Sequence, residues 1–376
     1  MAIQLFVPTF RVEECLSEIK ECLEKGWTGM GFKTVDFENK WKEYTRHPNA
    51  HYLNSATAGL HLAVKILKEQ LGWEDNDEIV TTPLTFVSTN HAILYENLKP
   101  VFSDIDEYLC LDPKDVESKI TEKTKAIMFV GMGGNIGRYY DIANLCKKYN
   151  LKLILDAAHM SGSRYNGDIV GKEADVVVYS FQAVKNLPTG DSGMICFKDK
   201  TYDDLARKYA WLGINKDTYS RTDSKGNYKW EYNIDYLGYK YNGNSIMAAI
   251  GLVGLKYLDH DNAYRRQIAT WYNDNFKEYA DKIKTIPIPD NCESSQHLYI
   301  IEVNNRDELL EKLNENEIYP GVHYKNNIEY SLYDYAKGTC PNTDRISHRI
   351  LSLPIHMRLT KATVDHVTET VIRFAK

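Results

Sequence analysis

From about residue 50 onward, segments with helical spacing of apolar residues alternate with short apolar runs that suit buried strands, and this limits the fold more than any other feature. Thr57 to Gln70 has the helical period, Glu78 to Thr82 reads as a strand stopped by Pro83, and Phe86 to Asn97 again reads as a helix. Pro100 to Ser103 is a strand ahead of the acidic turn Asp104-Ile105-Asp106. Lys125 to Val130, Leu151 to Leu155, Val176 to Tyr179 and Gly193 to Phe197 continue the strands, with a helix at Tyr140 to Tyr149. This alternation predicts an α/β fold, a mainly parallel central sheet covered by helices on both faces. Ligands in such sheets bind beyond the carboxyl ends of the strands.

Gly213 to Asn244 breaks the pattern, being polar, tyrosine-rich and without a clear core face, as expected of a functional loop or a partner-contact region. The apolar helix that follows, Ile246 to Tyr257, leads into a second unit with strands near Ser295 to Val303 and Gly321 to Tyr324 and a closing helix from Lys361 to Phe374. With 376 residues the chain has room for about two domains. The expected division is a large domain over 1–245, including an N-terminal segment 1–50, and a smaller C-terminal α/β domain over 246–376.

A net charge of -6 with both signs interspersed presents no basic face for nucleic acid. Met1 to Phe10 has no basic region followed by an apolar core, and no apolar stretch reaches the length of a membrane span, so neither a signal peptide nor a membrane anchor is expected. The seven cysteines are scattered and lack CxxC spacing, which fits thiols in a reducing cytoplasm, not disulfides or a metal site.

Two charged residues stand where buried strands would stop: Asp156 after Leu151-Lys152-Leu153-Ile154-Leu155, and Lys185 in the loop after Tyr179-Ser180, closed by Pro188 and Gly190. An amine and a carboxylate so placed are what pyridoxal phosphate needs, the amine for a Schiff base and the acid to keep the pyridine nitrogen protonated. A lysine in a polar loop is, by itself, usually just a solvated one. Asn54-Ser55-Ala56-Thr57-Ala58-Gly59-Leu60 sets small and hydroxyl residues at a helix start, either an anion site or an ordinary N-cap. In Thr82 to Asn90, Phe86 could stack on a flat ring or fill a core.

In this order the segments resemble the sugar-nucleotide aminotransferases of the DegT/DnrJ/StrS type, fold type I pyridoxal-phosphate enzymes with a large domain and a smaller C-terminal one. The resemblance runs from Val7-Pro8 and Gly26-Trp27-Thr28-Gly29-Met30-Gly31 through the Ser55 turn, Thr85-Phe86, Pro100 to Asp104, Asp156-Ala157-Ala158-His159 and Ser180 to Gly193. It continues in Gly238-Tyr239-Lys240-Tyr241-Asn242, Ala248 to Gly251, Gly321-Val322-His323-Tyr324 and Leu351-Ser352-Leu353-Pro354. It implies that Lys185 forms the internal aldimine and that Asp156 partners the pyridine nitrogen, with His159 near the ring hydroxyl, although a histidine after a strand can also be a purely structural one. Ser55, Ala56, Thr57 and Ser180 would hold the phosphate and Phe86 would cover the ring. Lys240 and Asn242 would reach the phosphate from the second subunit of a homodimer, although a lysine in a Tyr-rich loop is equally a surface residue. Thr28, Gln182, His323 and Tyr324 would face substrate.

The implied reaction is a two-half transamination in a cytoplasmic enzyme. L-Glutamate would give its amino group to the cofactor, and pyridoxamine phosphate would then aminate a keto carbon of a nucleotide-linked deoxy-sugar. Family members of this kind feed antibiotic sugars, O-antigen and lipopolysaccharide. The Ala183-Val184-Lys185-Asn186 core leans towards amination at carbon four, with carbon three as the alternative. Gln182 stands where the family usually has histidine, Asp191-Ser192-Gly193 replaces Glu-Gly-Gly, and Met132-Gly133-Gly134-Asn135 replaces a histidine-containing run. Two other readings share the scaffold. An amino-acid aminotransferase would clamp a carboxylate with Arg345, Arg349 or Arg358, and a regulator would bind the cofactor without turning over.

Overall fold

The computed structural model describes residues 2–215 and 231–376. Its central sheet has seven strands: β1 (Asn49–Leu53), β2 (Glu78–Thr81), β3 (Lys99–Phe102), β4 (Thr124–Val130), β5 (Lys152–Asp156), β8 (Val176–Ser180) and β9 (Gly193–Phe197). The order across the sheet is β1-β9-β8-β5-β4-β2-β3. β8, β5, β4, β2 and β3 run parallel, while β9 is antiparallel to both of its neighbours.

The strands are apolar throughout because both faces are covered. In β4, Ile127 and Phe129 face one core and Ala126 and Met128 the other, the period of two that a pleated strand imposes. Helices α1 (Val12–Glu24) and α2 (Phe32–Thr45) open the chain, and α3 (Ala56–Leu71) and α4 (Ser88–Leu94) follow β1 and β2. Then come α5 (Pro113–Lys119), α6 (Tyr139–Tyr149), α7 (Lys200–Ala210) and the 32-residue α8 (Ser245–Phe276). α3, α4 and α7 bury one face of the sheet, and α2, α5, α6 and α8 the other.

Two glycines set how closely α3 approaches the sheet. A Cβ on Gly59 would lie 2.7 Å from a methyl of Val178, and one on Gly193 would lie 2.7 Å from the backbone nitrogen of Ala56. Their missing side chains let the start of α3 sit directly over β8 and β9.

The C-terminal part has its own antiparallel sheet of β10 (Lys284–Thr285), β12 (Tyr299–Glu302) and β13 (Ile350–Leu353). The end of α8 and the helices Arg306–Glu315 and Lys361–Phe374 complete a separate core. A third small sheet joins β6 (Arg164–Tyr165) and β7 (Asp168–Ile169) to β11 (Cys292–Glu293). The N-terminal end crosses to the C-terminal part, where Ile3 bridges to Ile318 in parallel.

Two expectations change, and one strand was not anticipated. Gly321 to Tyr324 is not a strand: only Gly321 pairs, with Ser352, because Pro320 lacks a donor and the chain leaves the ladder at once. The helix expected from Phe86 is confined to Ser88–Leu94, leaving Thr85 and Phe86 in the loop before it. β1 pairs at the sheet edge as Asn-Ala-His-Tyr-Leu, whose polar first half hides it from pattern reading. Of the loop Gly213 to Asn244, residues 216–230 lie outside the described residues. Its two ends pair with each other at Ile214 and Ile234.

Candidate active site

β5 ends at Asp156 and β8 at Ser180, neighbouring parallel strands whose carboxyl ends open on one cavity of about 580 Å³. Asp156 is buried. Its Oδ2 accepts from the Thr89 hydroxyl at 2.8 Å and its Oδ1 from the backbone N–H of Ala158 at 3.1 Å. Thr89 also meets Thr85 at 2.9 Å, so α4 and the loop before it present a hydroxyl chain to the carboxylate. Burial raises the Asp156 pKa, and these two donors and the charge of Lys185 oppose it.

Lys185 sits in the loop after β8, fixed by its own N–H to the carbonyl of Gln182 and by Thr189 N–H to Phe181 O, both at 2.9 Å. Behind the loop the Phe181 ring packs on Trp41 and Phe37 of α2, with centroids at 5.0 and 5.3 Å. Burial pulls the Lys185 amine down to about 8, with Asp156 holding it up. Across the cavity, α3 begins. The Ser55 hydroxyl accepts from Ala58 N–H at 3.1 Å and is the N-cap, which leaves the first-turn N–H groups of Ala56 and Thr57 without intrahelical acceptors.

The cavity is closed on another side by Phe86 and Tyr324, whose rings stand 6.0 Å apart. Phe86 is 58% exposed, far more than a core phenylalanine. Both nitrogens of His159 are engaged: Nδ1 accepts from Gly133 N–H at 3.2 Å and Nε2 meets the Tyr324 hydroxyl at 3.1 Å. Burial and then the nearby Lys185 charge push its pKa well below the usual imidazole value. The neutral ring therefore carries its hydrogen on Nε2 and donates to Tyr324, leaving the tyrosine's own proton for another acceptor.

The structure thus gathers Ser55, Ala56, Thr57, Phe86, Asp156, His159, Ser180, Gln182, Lys185 and Tyr324 around one cavity. It does not bring Thr28, His323, Lys240 or Asn242 to the cavity of their own chain. Thr28 is exposed, and His323 bonds Ser352 Oγ through Nδ1 at 2.9 Å. Lys240 lies 3.2 Å over the Trp211 ring centroid, and the Asn242 amide donates to Gly243 O at 3.0 Å. Arg345 and Arg349 are bound to Glu302 at 2.9 and 3.1 Å, and among the described residues no arginine lines the cavity. Sequence reasoning singled out Asp191, which lines the cavity, but missed Ser88 beside it and Thr89, Asn186 and His297 behind it. The spacing of Thr85 and Thr89, four apart beside Phe86, was the one available signal.

With this geometry in place, similarity to known proteins becomes specific. A profile of the DegT/DnrJ/EryC1/StrS aminotransferase family matches residues 10–372. The chain belongs to this aminotransferase family. It is therefore an enzyme of the amino-transfer class on a pyridoxal-phosphate transferase fold. The spore coat polysaccharide biosynthesis protein SpsC of Bacillus subtilis is 33% identical to it over 96% of this chain and 94% of SpsC. The sugar aminotransferase CalS13 of Micromonospora echinospora is 27% identical, with a TM-score of 0.88 and 99% of both chains covered. The Streptococcus pneumoniae protein Spr1654, solved in PLP-form and PMP-form, matches at a TM-score of 0.88, with 27% identity for the first form over 99% of this chain and 98% of its own.

Proposed function

We propose that this aminotransferase uses pyridoxal phosphate to move an amino group from L-glutamate to the keto group, at carbon four, of a nucleotide-linked deoxy-sugar. The observation that carries this reading is the pairing of Lys185 and Asp156 on one cavity, opposite a helix start with two unpaired N–H groups. The donor set fits the cofactor: a buried carboxylate for a ring nitrogen, a primary amine, an aromatic face and an anion site. When bound, the cofactor supplies a protonated ring that stabilises negative charge at the substrate carbon.

The residues divide the remaining work. Ala56 and Thr57 N–H groups and the Ser180 hydroxyl bind the phosphate, helped by the dipole of α3. Asp156, oriented by Thr89 and Ala158, holds a proton at the ring nitrogen. Lys185, with its amine pKa drawn towards neutrality, would take a proton from the donor's α-carbon and deliver it to the imine carbon of the bound cofactor. Phe86 covers one ring face and Tyr324 presents a hydroxyl. The sugar aminotransferase and polysaccharide proteins to which the chain is similar favour a sugar over an amino-acid acceptor.

Lys240 and Asn242 are proposed to act across a homodimer, because they lie off their own cavity and Ile234 and Leu237 beside them are 65% and 89% exposed. The division into units 1–245 and 246–376 and a cytoplasmic location belong to the same reading. The test is a visible spectrum of protein with added pyridoxal phosphate. A lysine-bound band that glutamate bleaches and a nucleotide-linked keto-sugar restores supports the proposal. A band unmoved by glutamate refutes the donor, and no band refutes the cofactor.

A further inference from the structure

Asn186, the residue after Lys185, is buried and makes three side-chain hydrogen bonds. Its Nδ2 donates to Ser295 O at 2.6 Å and to Asn262 Oδ1 at 2.7 Å, and its Oδ1 lies 3.0 Å from Nδ1 of His297. Two backbone carbonyls settle which way these amides point. Ser295 O can only accept, so the Asn186 NH2 faces it. Ser161 O can only accept, so Asn262 turns its own Nδ2 there, at 2.8 Å, and its oxygen towards Asn186. The Asn186 oxygen is then left for His297, whose Nδ1 must be the donor.

The adjoining His159 obeys the opposite constraint, since Gly133 N–H occupies its Nδ1. Two imidazoles with ring centroids 4.5 Å apart are therefore held in opposite tautomers. His297 is further fixed by stacking on Phe6, with centroids at 5.5 Å and an angle of 6° between planes. Protonating it would add a second cation near Lys185.

We infer that His297, in its Nδ1–H form, is a positioning residue that holds the lysine loop through Asn186. It does not line the cavity, so it acts on the chemistry only through that loop. His297 thereby gives the Lys185 chemistry of the proposed function, on which this role rests, a mechanical support reaching into the segment before β12.

The test compares His297→Leu with His297→Asn, whose amide N–H stands close to where Nδ1–H was. Loading of cofactor-free protein with pyridoxal phosphate is followed by the visible band, and folding by circular dichroism. The Leu variant is expected to load about tenfold more slowly, the cost of one lost buried hydrogen bond, and the Asn variant to return to within about twofold of wild type. Equal loading by wild type and Leu, or equal impairment of both variants, overturns the inference. If the Leu variant does not fold, histidine 15N shifts of the wild-type protein decide: an Nδ1–H tautomer at His297 supports it and an Nε2–H tautomer overturns it. Wild-type protein that shows no band refutes the cofactor reading instead, and the tautomer measurement still judges His297.

Discussion

Lys185 is drawn towards deprotonation by burial and held back by Asp156, and its pKa of about 8 has consequences for stability as well as chemistry. In cofactor-free protein the folded state binds this proton less tightly than the unfolded chain, whose lysine titrates near 10.4. The buried ammonium therefore costs stability below about pH 8, and the cost fades as pH rises through the window up to about 10.4. Lys185→Met removes the group, so the stability of wild type relative to this variant is expected to rise between those limits in denaturant melts; a flat difference would contradict the shift. The same variant should lose visible-band formation and at least about 10³-fold of transamination, since it lacks both nucleophile and proton carrier. Thr89→Val tests the support of Asp156. It leaves Oδ2 without its donor, and the carboxyl pKa, already raised by burial, rises further. A fall in kcat of about tenfold is expected in steady-state assays, with the loss easing as pH rises and Asp156 ionises.

At the level of elements, the site depends on how α3 meets β8 and β9. Gly193→Ala would drive a methyl against the backbone at Ser55 and Ala56, where no side chain can swing away. Moving the start of α3 spoils the aim of its first N–H groups, so cofactor affinity measured by equilibrium dialysis should weaken about tenfold or more. Unchanged affinity would show that these N–H groups do not hold the phosphate. These elements were legible in the sequence because burial on both faces writes long apolar runs. The helix expected over Thr57 to Gln70 is Ala56–Leu71, and Gly193 to Phe197 is the observed β9. Its antiparallel direction was not legible, because side-chain alternation does not encode strand sense. Asp156 and Lys185 stood out as charges at the ends of apolar runs. His297 and Asn186 did not, being 111 residues apart and joined only by folding.

The cavity is walled by α3, β5, β8 and Tyr324, yet Phe86 at its rim and Leu237 near Lys240 remain open to solvent. Exposed apolar residues at the cavity rim and beside Lys240 suit a contact with another copy, and a C2 pair would place each copy's Lys240 segment equivalently. Lys240 carries its charge on a face shared with Trp211, where burial lowers its pKa. A phosphate dianion supplied by a partner would restore the balance. The shared-site proposal makes a quantitative demand on mixed dimers. Lys185→Ala and Lys240→Ala homodimers should each be impaired, the first fully and the second through weaker cofactor binding. Unfolding and refolding an equal mixture would make about half of the dimers mixed, each with one intact site and one site carrying both lesions. Activity should then recover to about a quarter of wild type. If Lys240 served its own chain's cavity, every mixed dimer would carry one lesion per site, and the mixture would not exceed the average of its two parents.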